Sequence, residues 1–88
     1  LLLLDEPFGA LDAITRSDLQ RTVRAIRAQR PLTIVLVTHD LREALFLADV
    51  VAVLRAGRVE QVAPPDALRG DPATLYVAEL LGRAEIGA

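Results

Sequence analysis

The sequence predicts an α/β fold: a parallel βαβ core, followed by a small β-hairpin and carboxyl-terminal helices. Two observations support this prediction. Unbroken apolar runs at Leu1–Leu4 and Leu32–Thr38 have the composition of strands buried on both faces of a sheet. The stretch Thr15–Gln29 between them has apolar residues at helical spacing, which predicts a crossover helix and therefore two parallel strands.

Composition limits the class of protein. Of 88 residues, 52% are hydrophobic, which is typical of a globular chain, and no apolar run is long enough to span a bilayer. The net charge of −2 does not indicate a nucleic-acid partner, and the absence of cysteine excludes disulfides and thiolate metal sites. All ten basic residues are arginine, so a P-loop, which ends in Lys-Ser or Lys-Thr, is not in this chain. Because Leu1 already lies in a strand-like run, we expect a carboxyl-terminal piece of a longer protein.

Three carboxylates follow the first predicted strand. Pro7 cannot donate to a strand ladder, so the strand is expected to end near Glu6, with Asp5 and Glu6 at its carboxyl end. Ligands of open α/β sheets bind at that edge. Asp12 comes after a turn that contains Gly9. Charge at the end of a buried strand is costly unless it acts on a cation, a proton or a water.

His39 follows the second predicted strand. Because the carboxyl ends of parallel strands meet at one edge, we expect His39 beside Asp5 and Glu6. A carboxylate such as Asp5 can hold Mg²⁺ through water, which is the Walker B role in P-loop NTPases. Glu6 can polarise an attacking water as a general base, and His39 can donate to a phosphate oxygen or orient that water.

Each of these residues also has a simpler interpretation when taken alone. An Asp-Glu pair is common where a strand enters a turn, a lone histidine is usually structural, and Asp12 is most simply a turn or helix-capping residue. Thr15 with Asp18 three residues later resembles a capping box at the start of the helix. The helix is predicted to present one apolar face and a solvated arginine face. The apolar residues are Leu19, Val23 and Ile26, and the arginines are Arg16, Arg21, Arg24 and Arg27.

The second half of the chain predicts shorter elements. Asp40 is expected to cap a short helix that closes near Asp49. A hairpin is predicted next, with strands at Val50–Leu54 and Val59–Val62 and a turn at Arg55–Arg58 in which Gly57 has positive φ. Pro64-Pro65 is expected to end it, and Asp66 to cap a short helix. A last helix is predicted at Ala73–Leu81, with either Leu75, Ala78 and Leu81 or Val77 and Leu80 facing inward.

The motifs together resemble those of ABC-type ATPases. Leu1–Pro7 resembles their Walker B motif with the glutamate that follows it, and Val37–Asp40 resembles their H-loop. Gly9–Asp12 resembles the D-loop, with Gly9 where Ser is common. Glu43–Asp49 and the following hairpin are typical of importer ATPases. The chain is thus identified as a partial ABC-type P-loop NTPase domain over residues 1–82, with a flexible tail at 83–88.

The resemblance implies a role for each motif. Asp5 coordinates Mg²⁺ through water, Glu6 is the catalytic carboxylate, and His39 senses the γ-phosphate, so Asp5, Glu6 and His39 contact ATP and Mg²⁺. Gly9, Ala10, Leu11 and Asp12 face a second ATPase subunit in a head-to-tail dimer that encloses two ATP. The P-loop, the Q-loop and the signature motif are expected before Leu1, and the isolated 88-residue chain is expected to be inactive.

The resemblance further implies the ATP-hydrolysing subunit of an ABC importer. Such a subunit lies peripherally at the cytoplasmic face of the inner membrane, and works with permease subunits and indirectly with a substrate-binding protein. Asp12–Gln20 and Asp71–Gly82 are similar to ATPases that import glycine betaine, choline and other osmoprotectants. Asp5–Arg16 is also similar to nitrate, sulfonate and taurine importers.

Three alternatives belong to other classes. An ABC-type ATPase of DNA repair shares the Walker B, D-loop and H-loop motifs, but the continuation Arg42–Arg58 favours transport. A DExD-box helicase also begins with Asp-Glu, but Pro7 and Phe8 replace its next two residues. A non-catalytic structural or interaction fragment is the third alternative.

Overall fold

The computed structural model describes residues 1–86. The chain divides into two compact units, Leu1–His39 and Asp40–Ala88. The first unit contains β1 (Leu2–Asp5), α1 (Ala13–Gln29) and β2 (Ile34–Val37). The second contains α2 (Leu41–Leu47), β3 (Val51–Arg55), β4 (Arg58–Ala63), α3 (Pro65–Gly70) and α4 (Leu75–Ile86).

The first unit is a βαβ arrangement. Strands β1 and β2 pair in parallel, with a register that runs from Leu2 opposite Ile34 to Asp5 opposite Val37. The predicted parallel core is therefore confirmed. Since Asp5 and Val37 are level at the carboxyl ends of their strands, the segments that follow them leave the sheet at the same edge.

The apolar side chains of this sheet are largely exposed among the described residues, although the composition of both strands is typical of burial on both faces. The side chain of Leu3 is 64% exposed, and neither Ile26 nor any other residue of α1 is buried. The physical reason is that β1 pairs only with β2 among residues 1–86, so the strand has no second neighbour there. Leu1, Leu2 and Leu3 are accordingly exposed, and Leu4 is half-buried.

Helix α1 begins earlier than predicted. Its N-cap is Asp12, whose side chain accepts a hydrogen bond from the backbone N–H of Thr15, and the first helical residue is Ala13. The predicted capping box of Thr15 and Asp18 is therefore wrong, while the interpretation of Asp12 as a helix cap is confirmed. The helix ends as Pro31 predicts, because Arg30 is already extended.

The second unit forms around a small apolar core. Strands β3 and β4 are antiparallel, and the turn between them has positive φ at Ala56 (52°) and Gly57 (75°), as a tight hairpin requires. The predicted hairpin is therefore confirmed. The core consists of six buried residues from the hairpin and the three helices: Leu45, Val51, Val53, Leu68, Val77 and Leu81.

The helix boundaries of this unit differ from the predictions in two places. Helix α3 has Pro64 at its N-cap and Pro65 in its first turn, so Asp66 is not the cap. Proline suits the first helical position because its missing N–H is not needed there. The last helix begins at Leu75, where Thr74 Oγ1 accepts the N–H of Val77 (3.2 Å), and it runs to Ile86.

Helix α4 therefore continues through residues 83–86, the start of the segment predicted as a flexible tail. Residues 87 and 88 lie outside the described residues. Neither set of inward residues predicted for this helix is fully correct. Val77 and Leu81 are buried, whereas Leu75 is 90% exposed.

Two leucines of α4 give a matched test of this core. We expect Leu81→Ala to lower the free energy of unfolding of the 88-residue chain by about 2–5 kcal/mol, because the buried side chain leaves a cavity. Leu75→Ala, at an exposed position of the same helix, is expected to change it by less than about 0.5 kcal/mol. Chemical denaturation measures both, and equal losses would contradict the assignment of the buried face.

Candidate functional site

The site begins where β1 turns out of the sheet. The backbone N–H of Glu6 donates to the carbonyl of Val37 at 2.8 Å, one residue beyond the paired strands. Glu6 then adopts a φ of 49°, in the left-handed region that non-glycine residues rarely occupy. Such a backbone costs about 1–3 kcal/mol and persists only where its surroundings hold it, which occurs most often at functional sites.

The carboxylate of Glu6 is held by His39. Its Oε1 atom accepts the backbone N–H of His39 at 3.0 Å and lies 2.7 Å from Nδ1 of the imidazole. The pair remains accessible, since 39% of the Glu6 side chain and 87% of the His39 side chain are exposed. The prediction that both residues emerge at one sheet edge is therefore confirmed by a direct contact.

This contact indicates a proton between Nδ1 of His39 and Oε1 of Glu6. An ionised carboxylate only accepts hydrogen bonds, so the short approach to Oε1 requires a proton on Nδ1. The other ring nitrogen, Nε2, is then the one that can interact with a bound group. Because Oε1 already has two donors, Oε2 is the Glu6 oxygen that remains for a water.

Asp5 is placed to hold a cation through water but not to enclose one. It is exposed at the last position of β1. Among the described residues, no group of three or more His, Cys, Asp or Glu side chains could hold a metal ion. A single accessible carboxylate fits Mg²⁺, which keeps several waters and takes further ligands from phosphates.

A tight loop at residues 7–12 connects β1 to α1. Phe8 is buried, and two backbone bonds close the turns: the Gly9 N–H to the Glu6 carbonyl (3.4 Å) and the Leu11 N–H to the Phe8 carbonyl (3.3 Å). A Cβ at Gly9 would make only ordinary contacts, the nearest with the Glu6 carbonyl oxygen at 3.7 Å. Serine would therefore fit at this position.

Asp12 ends this loop as a doubly bonded cap. Its Oδ1 accepts the backbone N–H of Thr15 at 2.8 Å, and its Oδ2 accepts the Thr15 hydroxyl at 3.1 Å. These bonds, the backbone one first, hold the pKa of Asp12 below its usual value. Both carboxylate oxygens of Asp12 thus stabilise the first turn of α1. No hydrogen bond joins Asp12 to Glu6 or His39.

Arg16 is a residue that the sequence did not single out. Its Nε donates to the carbonyl of Phe8, and its Nη2 donates to the carbonyl of Leu11, each at 3.2 Å. It is half-buried, as is Arg27, whereas Arg21 and Arg24 are exposed. No side-chain pattern could have identified it, because its two partners are backbone oxygens.

Comparison with known proteins gives many relatives, although no protein-family model matches the chain. The chain is 49% identical over 84 residues to the sulfate/thiosulfate import ATP-binding protein CysA of Caulobacter vibrioides, covering 96% of this chain and 25% of the relative. It is 54% identical over 82 residues to the CysA protein of Xylella fastidiosa strain Temecula1, covering 93% of this chain and 24% of the relative. It is 45% identical over 86 residues to the glycine betaine/carnitine/choline transport ATP-binding protein OpuCA of Bacillus subtilis, covering 98% of this chain and 23% of the relative.

The chain is a homologue of the ATP-binding subunits of ABC transporters. It spans about a quarter of the length of the curated relatives that it matches. In the part of the chain that the structure describes, none of the helices combines the length and the apolar character needed to cross a membrane.

The Asp12 cap predicts a pH dependence with a definite sign. Because its pKa is lowered in the folded chain, ionised Asp12 contributes its full stability above about pH 4, the unfolded pKa, and loses it as the pH falls through the lower folded value. The asparagine introduced by Asp12→Asn also caps helices but does not titrate. We expect the melting temperature of the parent chain relative to the Asp12→Asn chain to fall below about pH 4, and a constant difference from about pH 7 to about pH 2 would contradict this.

Proposed function

We propose that this chain is the carboxyl-terminal part of the catalytic domain of an ABC importer ATPase, in which ATP binding and hydrolysis drive uptake of a small solute. The observation that supports this most is the contact between Glu6 and His39 at the carboxyl edge of β1 and β2. It joins a candidate base to a candidate phosphate-sensing residue in a chain whose relatives include import and transport ATP-binding proteins.

In this proposal Glu6 is the general base. Its Oε2 takes a proton from the attacking water, while Oε1 stays bonded to the backbone and the ring of His39. The bonds to Oε1 limit rotation of the carboxylate, so the water-facing oxygen has a defined position. To donate to a γ-phosphate oxygen, His39 needs a proton on Nε2 in addition to the one that Nδ1 shares with Oε1 of Glu6.

Asp5 is the residue proposed to hold Mg²⁺, through a water molecule. When bound, that ion neutralises charge on the phosphates of ATP. The exposed carboxylate at the end of β1 supports a site completed by water and phosphate oxygens.

Residues Gly9, Ala10, Leu11 and Asp12 are proposed to face a second ATPase subunit. The exposure of Gly9, Ala10 and Asp12 supports this, as does the loop that projects them between β1 and α1. The protein would further contact permease subunits at the cytoplasmic face of the inner membrane, and a substrate-binding protein indirectly. The relatives named above are transport proteins, which supports transport rather than DNA repair.

Two solute classes are candidates. The similarity to OpuCA and to the choline transport ATP-binding protein OpuBA, each 45% identical over 86 residues, supports an osmoprotectant such as glycine betaine or choline. The sulfate/thiosulfate relatives, at 49% and 54% identity, support an oxyanion as the second candidate. Loss of labelled glycine betaine uptake or of labelled sulfate uptake, after deletion of the gene for the intact protein, decides between them.

The catalytic role of Glu6 is tested by Glu6→Gln in the intact protein. Because glutamine keeps the shape but cannot accept the proton, we expect ATP hydrolysis to fall by about 10²- to 10⁴-fold while ATP binding persists and ATP-bound dimers accumulate. Glu79→Gln, at an exposed glutamate of α4, is the matched control and is expected to hydrolyse ATP at the parental rate. Parental turnover by the Glu6→Gln protein would refute the role.

The isolated 88-residue chain provides a second test. It contains no lysine, so it lacks the P-loop lysine that contacts the phosphates, and we expect no measurable ATP hydrolysis from it. Phosphate release by the purified chain, abolished by Glu6→Gln, would show that these residues suffice without a P-loop.

A further inference from the structure

We propose that Arg16 is a positioning residue, which fixes the loop at residues 7–12 and thereby the placement of Glu6 and Asp12 at its two ends. This inference rests on the proposed function, because it assigns Arg16 a part in ATP hydrolysis. Arg16 itself is not proposed to touch ATP or the attacking water.

Arg16 makes hydrogen bonds to three backbone carbonyls of the loop at residues 7–12. The guanidinium of Arg16 donates to the Phe8 and Leu11 carbonyls at 3.2 Å, and its backbone N–H donates to the Asp12 carbonyl at 2.9 Å. The side chain therefore bonds to the middle of the loop, and the main chain bonds to its end. Since Arg16 belongs to the first turns of α1, the loop is anchored to a regular helix rather than to another loop.

The backbone bonds that close the loop are long, so we expect the Arg16 side chain to contribute to holding it. The two backbone bonds that close its turns are 3.3 and 3.4 Å long, beyond the usual range for N–H···O bonds. Bonds from a charged donor are stronger than neutral ones. The fixed fork of a guanidinium also reaches two carbonyls at once, which the single nitrogen of lysine reproduces poorly.

The anchor acts on Glu6 through the backbone. Phe8, whose carbonyl accepts from Arg16, lies two residues after Glu6, and the Gly9 N–H bonds back to the Glu6 carbonyl. The strained φ of 49° at Glu6 needs such restraint on its following residues. Without the guanidinium, we expect Glu6 and its carboxylate to sample other positions, which slows a reaction that depends on alignment.

The experiment compares Arg16→Gln, Arg16→Lys and Arg21→Gln in the intact protein. Arg21 lies exposed on the same helix and serves as the matched control. We expect Arg16→Gln to lower kcat about tenfold with an unchanged KM for ATP, because alignment and not binding is lost. Arg16→Lys should recover part of that loss, and Arg21→Gln should match the parent. Hydrogen exchange of the Gly9 and Leu11 amides should accelerate in Arg16→Gln, less so in Arg16→Lys, and not in Arg21→Gln.

The outcomes separate this inference from the proposed function. If the parent hydrolyses ATP and Glu6→Gln does not, the proposed function stands, and equal kcat values for Arg16→Gln and Arg21→Gln would then refute the role of Arg16 alone. A fall in ATP binding and in melting temperature, without selective exchange at Gly9 and Leu11, would also refute it, since that is the signature of a merely structural residue. A parent protein without ATP hydrolysis would refute both proposals.

Discussion

The parallel pairing of β1 with β2 is the constraint on which the candidate site depends. It places Asp5 level with Val37, so the segments that follow the two strands leave the sheet at the same edge. Glu6 extends the ladder by one bond to the Val37 carbonyl and accepts two donors from His39. A slip of one residue in this register would move the Glu6 carboxylate away from His39.

Much of this arrangement follows from the sequence because it depends on general rules of topology. Two apolar runs separated by one helical stretch imply parallel strands, and parallel strands imply a shared edge for Glu6 and His39. The hairpin was equally predictable, since Gly57 tolerates the positive φ that its turn requires. Proline also gave reliable limits, with Pro31 ending α1.

The features that the sequence did not predict depend on tertiary contacts. Leu3 has the composition of a buried strand, yet its burial depends on neighbours that residues 1–86 do not provide. The sequence indicated both Asp12 and Thr15 as possible caps, but it did not predict that Asp12 is the one used. Arg16 bonds to carbonyl oxygens, which every residue carries, so its partners leave no trace in the sequence.

The separation of paired residues along the chain has a consequence for the order of folding. The hairpin joins neighbours, ending with Arg55 opposite Arg58, so little chain entropy is lost when it closes. The bond between Glu6 and His39 joins residues 33 positions apart. Contacts between distant residues form more slowly than local ones. We therefore expect the hairpin to form early, and the β1–β2 pairing to form late together with the Glu6–His39 contact that depends on it.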